Sequence, residues 1–470
     1  MNRITPLILA VALFMEMMDS TIIATSLPAI AADIGAEPIA LKLAMTSYLV
    51  ALAIFIPVSG WMADRFGART VFRWAILVFM LGSLACAVSN SLPAFVGARF
   101  LQGMGGAIMS PLARLVLVRA TPRENLVSAM AWLTVPALTG PMLGPPVGGF
   151  LTTFLSWHWI FLVNIPIGAA GILAATIYLP RTGFRSERSI DWRGFVLAGL
   201  CFAGLLFGIS VISLPALPLA VGVATLLAGA LSGWGYMLHA RRTNEPLLDP
   251  RLFRHRLFRI AINGSFIFRI GVGATPFLFP LMVQLGFGLT PFETGLILLF
   301  SALGAILAKF TARPIFAGFG FRPLLLAATV LSAGVLVMFG TFTPMTPVWV
   351  MIGTMLFSGY VRSTYFSGIN AMAFGDVPSE EAGQATAIFS VSTQLSLALG
   401  VAAAGGILEF IGWLRGGHLL NSDYATAFFV VAGLCVLALI PMMRLQRGEG
   451  GEISGHFSEV PDDQPLPPGK

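Results

Sequence analysis

The sequence has very few charged residues. Of its 470 residues, 10% are Asp, Glu, Lys or Arg and 57% are hydrophobic, whereas about 25% of a typical soluble domain is charged. This balance excludes an ordinary water-soluble fold. The phosphate-binding pattern GxxxxGK[ST] and the zinc-protease pattern HExxH are also absent from the sequence. The chain therefore lacks the sequence features of an ATPase or a metalloprotease.

Cysteine and histidine are scarce as well. Cys86, Cys201 and Cys435 lie inside apolar runs without CxxC spacing, so neither a disulfide nor a zinc site is expected. The five His residues fall in predicted loops, helix ends or the C-terminal tail, where solvation explains them. We expect no metal and no cofactor.

Long apolar stretches dominate what remains. An α-helix needs about 20 residues to cross the hydrocarbon core, and fourteen stretches approach or exceed that length. They are residues 6–28, 41–62, 71–88, 92–118, 127–154, 159–179, 194–212, 217–238, 257–285, 294–310, 324–341, 348–374, 385–411 and 425–443. The predicted fold class is an all-α membrane protein with fourteen transmembrane helices.

Basic residues fall in alternate loops between these stretches. Loops rich in Arg face the cytoplasm, so the net charge of +7 indicates membrane topology and not nucleic-acid binding. The loops between the Arg-rich loops contain almost no basic residue, with Lys42 and Arg415 as the exceptions. An even number of helices places both termini in the cytoplasm. The loop residues are Arg65, Arg69, Arg119, Arg123, Arg181, Arg185, Arg188, Arg241, Arg242, Arg251, Arg254, Arg256, Arg313 and Arg322.

The stretches divide into six, two and six, with the longest charged loops around the middle pair. We predict a six-helix bundle in residues 1–180, two linking helices in 181–256 and a second six-helix bundle in 257–446. Residues 447–470, rich in Gly, Pro and acids, are predicted to be a disordered cytoplasmic tail.

Five ionisable residues inside the apolar stretches stand out as buried: Glu16, Asp19, Arg99, Arg269 and Arg362. Each costs about 2.5 to 3.5 kcal/mol at a lipid-facing helix centre, so they must pair or line a wet cavity. Glu16 and Asp19 are three apart and share one helical face. Asp19 is either permanently neutralised by a neighbouring Arg or takes up and releases a proton, and we favour the second.

Residues 60–69, GWMADRFGAR, resemble the loop signature between helices 2 and 3 of the major facilitator superfamily. The likeness covers nearly the whole chain and is closest to the fourteen-helix drug:proton antiporter branch, the EmrB/QacA family. The resemblance implies a cytoplasmic latch between the two bundles; a plain topogenic loop is the alternative. The residues assigned to the latch are Gly60, Asp64, Arg65, Gly67 and Arg69.

Two further motifs carry the same resemblance. In helix 4, Arg99 and Gln102 match a motif whose Arg is implicated in proton transfer; a structural Arg bonded to carbonyl groups is the alternative. In helix 5, residues 140–149 match a motif associated with exporters, in which Gly spacing of four permits close helix contact and Pro bends the helix. Its assigned residues are Gly140, Gly144, Pro145, Gly148 and Gly149.

Residues 18–28 and 157–168 resemble the helix 1 and helix 6 motifs of the fourteen-helix branch. Ala24 stands where that branch usually has Asn, so one polar contact expected near Asp19 is missing. Bundles of six and six helices place substrate near the midplane between them. The predicted substrate cavity comprises Glu16, Asp19, Gln102, Arg269 and Arg362.

The resemblance implies a proton-coupled antiporter that exports small amphiphilic molecules across the inner membrane by alternating access, powered by the proton gradient. Proton coupling is assigned to Asp19, Glu16 and Arg99. A dedicated exporter of one metabolite, siderophore or lipid-like compound is the alternative, and a membrane enzyme or sensor is the rival from another class. Expected partners are the substrate, protons and the lipid bilayer, without nucleic acid; a periplasmic adaptor protein is left open, and the chain is expected to be a monomer.

The predicted cavity has three Arg against two acids. Its net charge is therefore positive, which predicts neutral, zwitterionic or weakly anionic amphiphiles as substrates. The alternative is that Arg269 and Arg362 only neutralise Glu16 and Asp19.

Overall fold

The computed structural model describes residues 4–121, 125–179, 190–212, 218–378, 380–416 and 419–446, together with Glu449 and Glu452. Within these residues, 12 helical spans are long and apolar enough to cross a membrane by length and composition. Two more helices have 29 and 26 residues. In chain order these helices are α1 (Thr5–Thr25), α2 (Pro38–Phe66), α3 (Ala68–Ala87), α4 (Leu92–Arg119), α5 (Leu126–Phe154), α6 (Trp159–Tyr178), α7 (Trp192–Ile212), α8 (Leu219–Arg242), α9 (Arg256–Gly286), α10 (Pro291–Phe319), α11 (Phe321–Gly340), α12 (Val348–Ala373), α13 (Ala382–Leu414) and α14 (Asn421–Met443).

Each predicted apolar stretch falls on one of these helices. The two helices outside the set of 12 are α5 and α12. Helix α5 contains four internal Pro residues, and α12 carries the charge of Arg362. A short helix, Leu27–Asp33, follows α1.

Glycines and a capping box determine where several helices end or begin. Gly67 ends α2 with φ of 84° and Gly320 ends α10 with φ of 74°, a left-handed backbone conformation that glycine adopts without a steric cost. At the start of α10, the Thr290 hydroxyl accepts from the Glu293 amide at 3.2 Å, while the Glu293 carboxylate accepts from the Thr290 amide at 2.8 Å. This capping box fixes the first turn.

The first six helices pack on one another, as do the last six. Helix α1 packs on α5, and α4 packs on both α2 and α3. Among the last six, α10 packs on α12, α11 on α14, and α9 on α13. The two groups meet most extensively through two helix pairs, α5 with α10 and α2 with α13, and the end of α1 also contacts α9 and α10.

Two hydrogen bonds and an ion pair join the two groups near the end of α1 and the start of α2. The Gln284 side chain donates to the Thr25 carbonyl at 2.9 Å, and the Phe292 amide donates to the Thr153 hydroxyl at 3.1 Å. The Lys42 ammonium forms an ion pair with the Glu409 carboxylate at the same end. We call this the closed end of the molecule.

Helices α7 and α8 pack tightly on each other through glycines. A Cβ added at Gly204 would lie 2.7 Å from the Gly229 Cα, and one added at Gly208 would lie 2.7 Å from the Leu226 amide nitrogen. Helix α7 also contacts α2 and α13. The pair therefore lies beside one of the two seams between the helix groups.

Several sequence predictions lie outside the described residues. They concern four loop arginines, two histidines and nearly all of the tail after residue 446. At the start of that tail, the Glu449 carboxylate lies 3.5 Å from Arg256 Nε at the start of α9. The residues concerned are Arg123, Arg181, Arg185, Arg188, His418 and His456.

Candidate functional site

Asp19, in the second half of α1, is fully buried and accepts hydrogen bonds from three side chains. Arg99 Nη1 donates to Asp19 Oδ2 at 2.7 Å. The amide nitrogens of Gln102 and Asn164 donate to Asp19 Oδ1 at 2.8 and 2.9 Å. All three contacts are donors, two of them amides and one a cation, so both carboxylate oxygens of Asp19 accept hydrogen bonds from neighbouring helices. Asp19 thus connects α1 with α4 and α6.

The surroundings of Arg99 are buried and partly unsatisfied. Its guanidinium carbon lies 4.3 Å from the Tyr48 ring centroid, in a cation–π arrangement. Arg99 Nε, the Tyr48 hydroxyl and Asn164 Oδ1 are buried without a hydrogen-bond partner among the described residues. Ser83 accepts from Gln102 at 2.7 Å. Unsatisfied buried polar atoms are costly, so this network is a place where rearrangement or added water lowers the free energy.

Glu16 lies one turn before Asp19 and has a different environment. It is 5% exposed, and its carboxylate accepts a hydrogen bond from the Ser110 hydroxyl. In the described part of the chain, no Lys or Arg forms an ion pair with Glu16. Of the two acids on this face, Asp19 is the one that forms an ion pair among the described residues.

Arg269 and Arg362 lie in the second group of helices. Arg269 on α9 is 8% exposed; it donates from Nε to the Ser265 hydroxyl at 3.0 Å, and its guanidinium carbon lies 3.9 Å from the Phe366 ring centroid. Arg362 on α12 is partly exposed and donates to the Ser301 hydroxyl at 3.0 Å. The described ion pair of Asp19 is with Arg99, so neither arginine neutralises Asp19 in this conformation.

The exporter motif of α5 packs against α1, as its glycine spacing indicates. A Cβ at Gly140 would lie 2.9 Å from the Phe14 carbonyl oxygen, and Gly144 and Gly148 meet α1 in the same way. Gly149 faces α10 instead, where a Cβ would overlap the Pro291 carbonyl. From the other side, a Cβ at Gly295 would overlap the carbonyl of Pro145, so α5 and α10 touch through glycines on both helices.

The predicted latch residues make their described contacts within the first group of helices. Asp64 Oδ1 lies 2.8 Å from Arg119 Nη2, and both side chains are about one-third exposed. Arg69 donates to the backbone carbonyls of Thr176 and Leu179 at the end of α6. Arg65 and Gly60 are exposed. A contact from this loop to the second group of helices stays a prediction.

Sequence reasoning finds Glu16, Asp19, Arg99, Arg269 and Arg362 but misses Asn164, which donates to Asp19, and the ion pair of Lys42 with Glu409. Asn164 stood inside the helix 6 motif without an assigned role. Lys42 was noted only as an exception to the topology pattern, and Glu409 was not singled out. An isolated Lys and an isolated Glu in two apolar stretches were the available signal, because each requires a partner.

Known proteins resemble the chain over nearly its full length. The profile of the Major Facilitator Superfamily matches residues 9–247 and 261–461. A protein of Cronobacter sakazakii (strain ATCC BAA-894), named as multidrug resistance protein MdtD, is 37% identical over 464 residues, which cover 97% of this chain and 94% of that protein. The protein of the same name from Escherichia coli (strain K12) is 37% identical over 413 residues, covering 86% of each.

Solved structures of transporters share the fold. A D-xylose-proton symporter superposes with a TM-score of 0.67 at 15% identity, covering 93% of this chain and 96% of that one. The nucleoside transporter NupG gives 0.66 at 15% identity, covering 95% and 100%. With the two groups of six helices, their two seams and the profile match, these likenesses lead to one conclusion: the chain belongs to the major facilitator superfamily of membrane transporters.

Proposed function

We propose that this protein is a proton-coupled antiporter that exports amphiphilic, drug-like molecules across the inner membrane, with fourteen transmembrane helices and both termini in the cytoplasm. The observation that carries the proposal is the buried acid pair on one face of α1, with Asp19 held by Arg99, Gln102 and Asn164. The relatives named as multidrug resistance proteins support the class of substrate. We assign the chain to the EmrB/QacA branch because α7 and α8 add a helix pair to the two groups of six.

The entry of one proton, carried by a single titrating carboxylate, provides enough free energy to drive substrate export. One elementary charge crossing about 100 mV provides about 2.3 kcal/mol, which sustains roughly a 50-fold substrate gradient. Asp19 accepts hydrogen bonds from three side chains, whereas Glu16 accepts one from a single hydroxyl. In the proposed cycle, Glu16 takes up the proton in this conformation, and Asp19 exchanges its proton when the contact with Arg99 is broken in the other.

The conformation is consistent with the inward-facing step of alternating access. The positive-inside pattern assigns the closed end, with Lys42 and Glu409, to the periplasm. Export then requires these contacts to break while the cytoplasmic end closes through the loop that contains Asp64 and Arg69.

Vesicle experiments test the proposal. The purified protein is reconstituted with pyranine trapped inside, a pH gradient is imposed, and probe compounds are added outside. Probes that are substrates are expected to accelerate dissipation of the gradient, and empty vesicles provide the baseline. Absence of coupled proton flux across a panel of cationic, zwitterionic and anionic compounds would contradict the proposal. Coupled flux with a single panel member would instead indicate a dedicated exporter.

A further inference from the structure

Some charged side chains in the membrane-length helices have an ion-pair partner and others do not. Three buried acids have basic partners, and Glu16 has the Ser110 hydroxyl. These three pairs are Asp19 with Arg99, Glu409 with Lys42, and Asp423 with Arg415. Arg269, which is buried, and Arg362, which is partly exposed, form no ion pair with a carboxylate within the described residues. Two cations are thus left uncompensated in the second group of helices.

The positions of these two cations suggest a shared function. Arg269 lies on α9 and Arg362 on α12, and the Arg269 guanidinium carbon is 3.9 Å from the ring centroid of Phe366, which follows Arg362 by one helical turn. Each guanidinium donates to one serine hydroxyl, Ser265 or Ser301, at 3.0 Å. A guanidinium has five N–H donors, so most of the donors on each arginine remain for another acceptor.

Aromatic rings lie beside the same charges. The Arg269 guanidinium carbon is 3.9 Å from the ring centroid of Phe366 and 5.9 Å from that of Phe389. A cation–π contact offsets only part of the cost of burying a charge. The rings also provide apolar surface next to the donors. Together these features suit a ligand with an anionic head and a flat or apolar body.

We propose that Arg269 and Arg362 bind the anionic head of an amphiphilic organic anion, with Phe366 and Phe389 contacting its apolar part. The proposal rests on the proposed function and specifies the substrate class. The paired, planar donors of a guanidinium match the oxygens of a carboxylate, sulfonate or phosphate. Ser265 and Ser301 hold the two side chains in place from α9 and α10.

Binding to purified full-length protein in phosphatidylcholine nanodiscs tests this site without any pH gradient. The anionic probe is naphthalene-1-sulfonate, and the matched probes are naphthalen-1-ylmethanol and the quaternary cation trimethyl(naphthalen-1-ylmethyl)ammonium. Titration calorimetry is expected to show the anion binding at least about tenfold more tightly than the cation. Arg269→Gln and Arg362→Gln are each expected to weaken anion binding by about tenfold or more.

Two variants separate binding from folding. Arg259→Gln removes an exposed arginine of the same helix α9, whose guanidinium donates to the Phe253 carbonyl at 3.2 Å, and it should leave anion binding unchanged. Arg269→Lys keeps the positive charge but loses the planar fork, so its anion affinity should fall between those of the parent and Arg269→Gln. In addition, the melting temperature of ligand-free Arg269→Gln protein should be no lower than that of the parent, because the variant lacks an uncompensated buried charge.

Three results would overturn the proposal. They are cation binding equal to or tighter than anion binding, anion binding unchanged in both Gln variants, and loss of naphthalene-1-sulfonate binding when phosphatidylglycerol is added to the discs. The last result would assign the site to a lipid headgroup. Because binding is measured without a gradient, a protein that binds the anion but shows no coupled proton flux would contradict the proposed function and leave this site intact.

Discussion

Lys42 on α2 and Glu409 on α13 form a buried ion pair that joins the two groups of helices at the closed end. Lys42 is fully buried, and the Glu409 side chain is 7% exposed. The two residues are 367 positions apart in the sequence. Because the pair spans the seam where α2 meets α13, it exists only while this end is closed.

Removing only the Glu409 charge of this pair should open the closed end. Glu409→Gln leaves the Lys42 charge buried without its carboxylate, which costs about 3 to 5 kcal/mol in the conformation described here. We expect the population of the outward-open state to rise at least about tenfold. Spin labels on the exposed positions Glu37 and Leu414 would report this as a longer distance. The double variant Lys42→Gln and Glu409→Gln removes both charges, so its spin-label distance should return towards that of the parent. An unchanged distance in Glu409→Gln would contradict a role of the pair in gating.

Replacing Asp19 should affect both stability and transport. Asp19→Asn leaves the buried Arg99 without a carboxylate, so we expect a loss of about 3 to 5 kcal/mol and an earlier thermal melt in detergent. Proton-driven accumulation of substrate in vesicles should be abolished, because an amide does not exchange a proton. Pairing Asp19→Asn with Arg99→Gln should recover stability but not coupling. Accumulation in Asp19→Asn vesicles would show that the coupling site is elsewhere.

Glu16→Gln provides the matched comparison on the same helical face. Glu16 accepts from Ser110 and forms no described ion pair, so the amide should change the melting temperature little. We expect coupled proton flux to fall strongly while the protein stays folded. Flux measured with pyranine in Glu16→Gln vesicles at the parent rate would exclude Glu16 from the proton pathway.

Gly149 tests the second seam, where α5 meets α10. A Cβ at this position overlaps the Pro291 carbonyl, so Gly149→Ala should strain the closed end by about 1 to 3 kcal/mol. We expect a lower melting temperature and slower transport. Gly334→Ala in α11 is the control, since a Cβ there would meet nothing within 4 Å. Equal melting temperatures for the two variants would contradict the close approach of α5 and α10.

Asp64→Asn should alter gating without altering stability much. The Asp64 and Arg119 side chains are 36% and 34% exposed, and surface ion pairs of this kind contribute about 0 to 1 kcal/mol. If the loop also closes the cytoplasmic end, accessibility of introduced cysteines should shift on both sides of the membrane while substrate preference stays constant. A changed substrate spectrum with unchanged accessibility would count against the latch.

The sequence alone predicted most of the helices because their signal is local. Long apolar runs, the glycine spacing of α5 and the turn at Gly67 depend on residues close together in the chain, and the structure places each as expected. The spacing of four predicted a close helix contact on the glycine face of α5, and the structure identifies α1 as the partner.

Partners of the buried charges were harder to predict, because they depend on which helices become neighbours. Asn164 is 145 positions from Asp19, and nothing local marks it as a donor to that carboxylate. The same applies to Ser265 and Ser301 beside the two arginines. Apolar patterning determines that a helix forms, whereas the identity of its neighbours depends on the packing of the whole bundle.

The position of α7 and α8 makes the two flanks of the molecule unequal. Two groups of six helices alone would present a similar seam to the lipid on each side. Here α7 lies against both α2 and α13, so one seam is screened by an additional helix pair, and the α5 and α10 seam is a separate surface. The two sides of the protein in the membrane plane are therefore formed by different helices, so a lipid or neighbouring protein that approaches laterally meets α7 and α8 at one seam and α5 and α10 at the other.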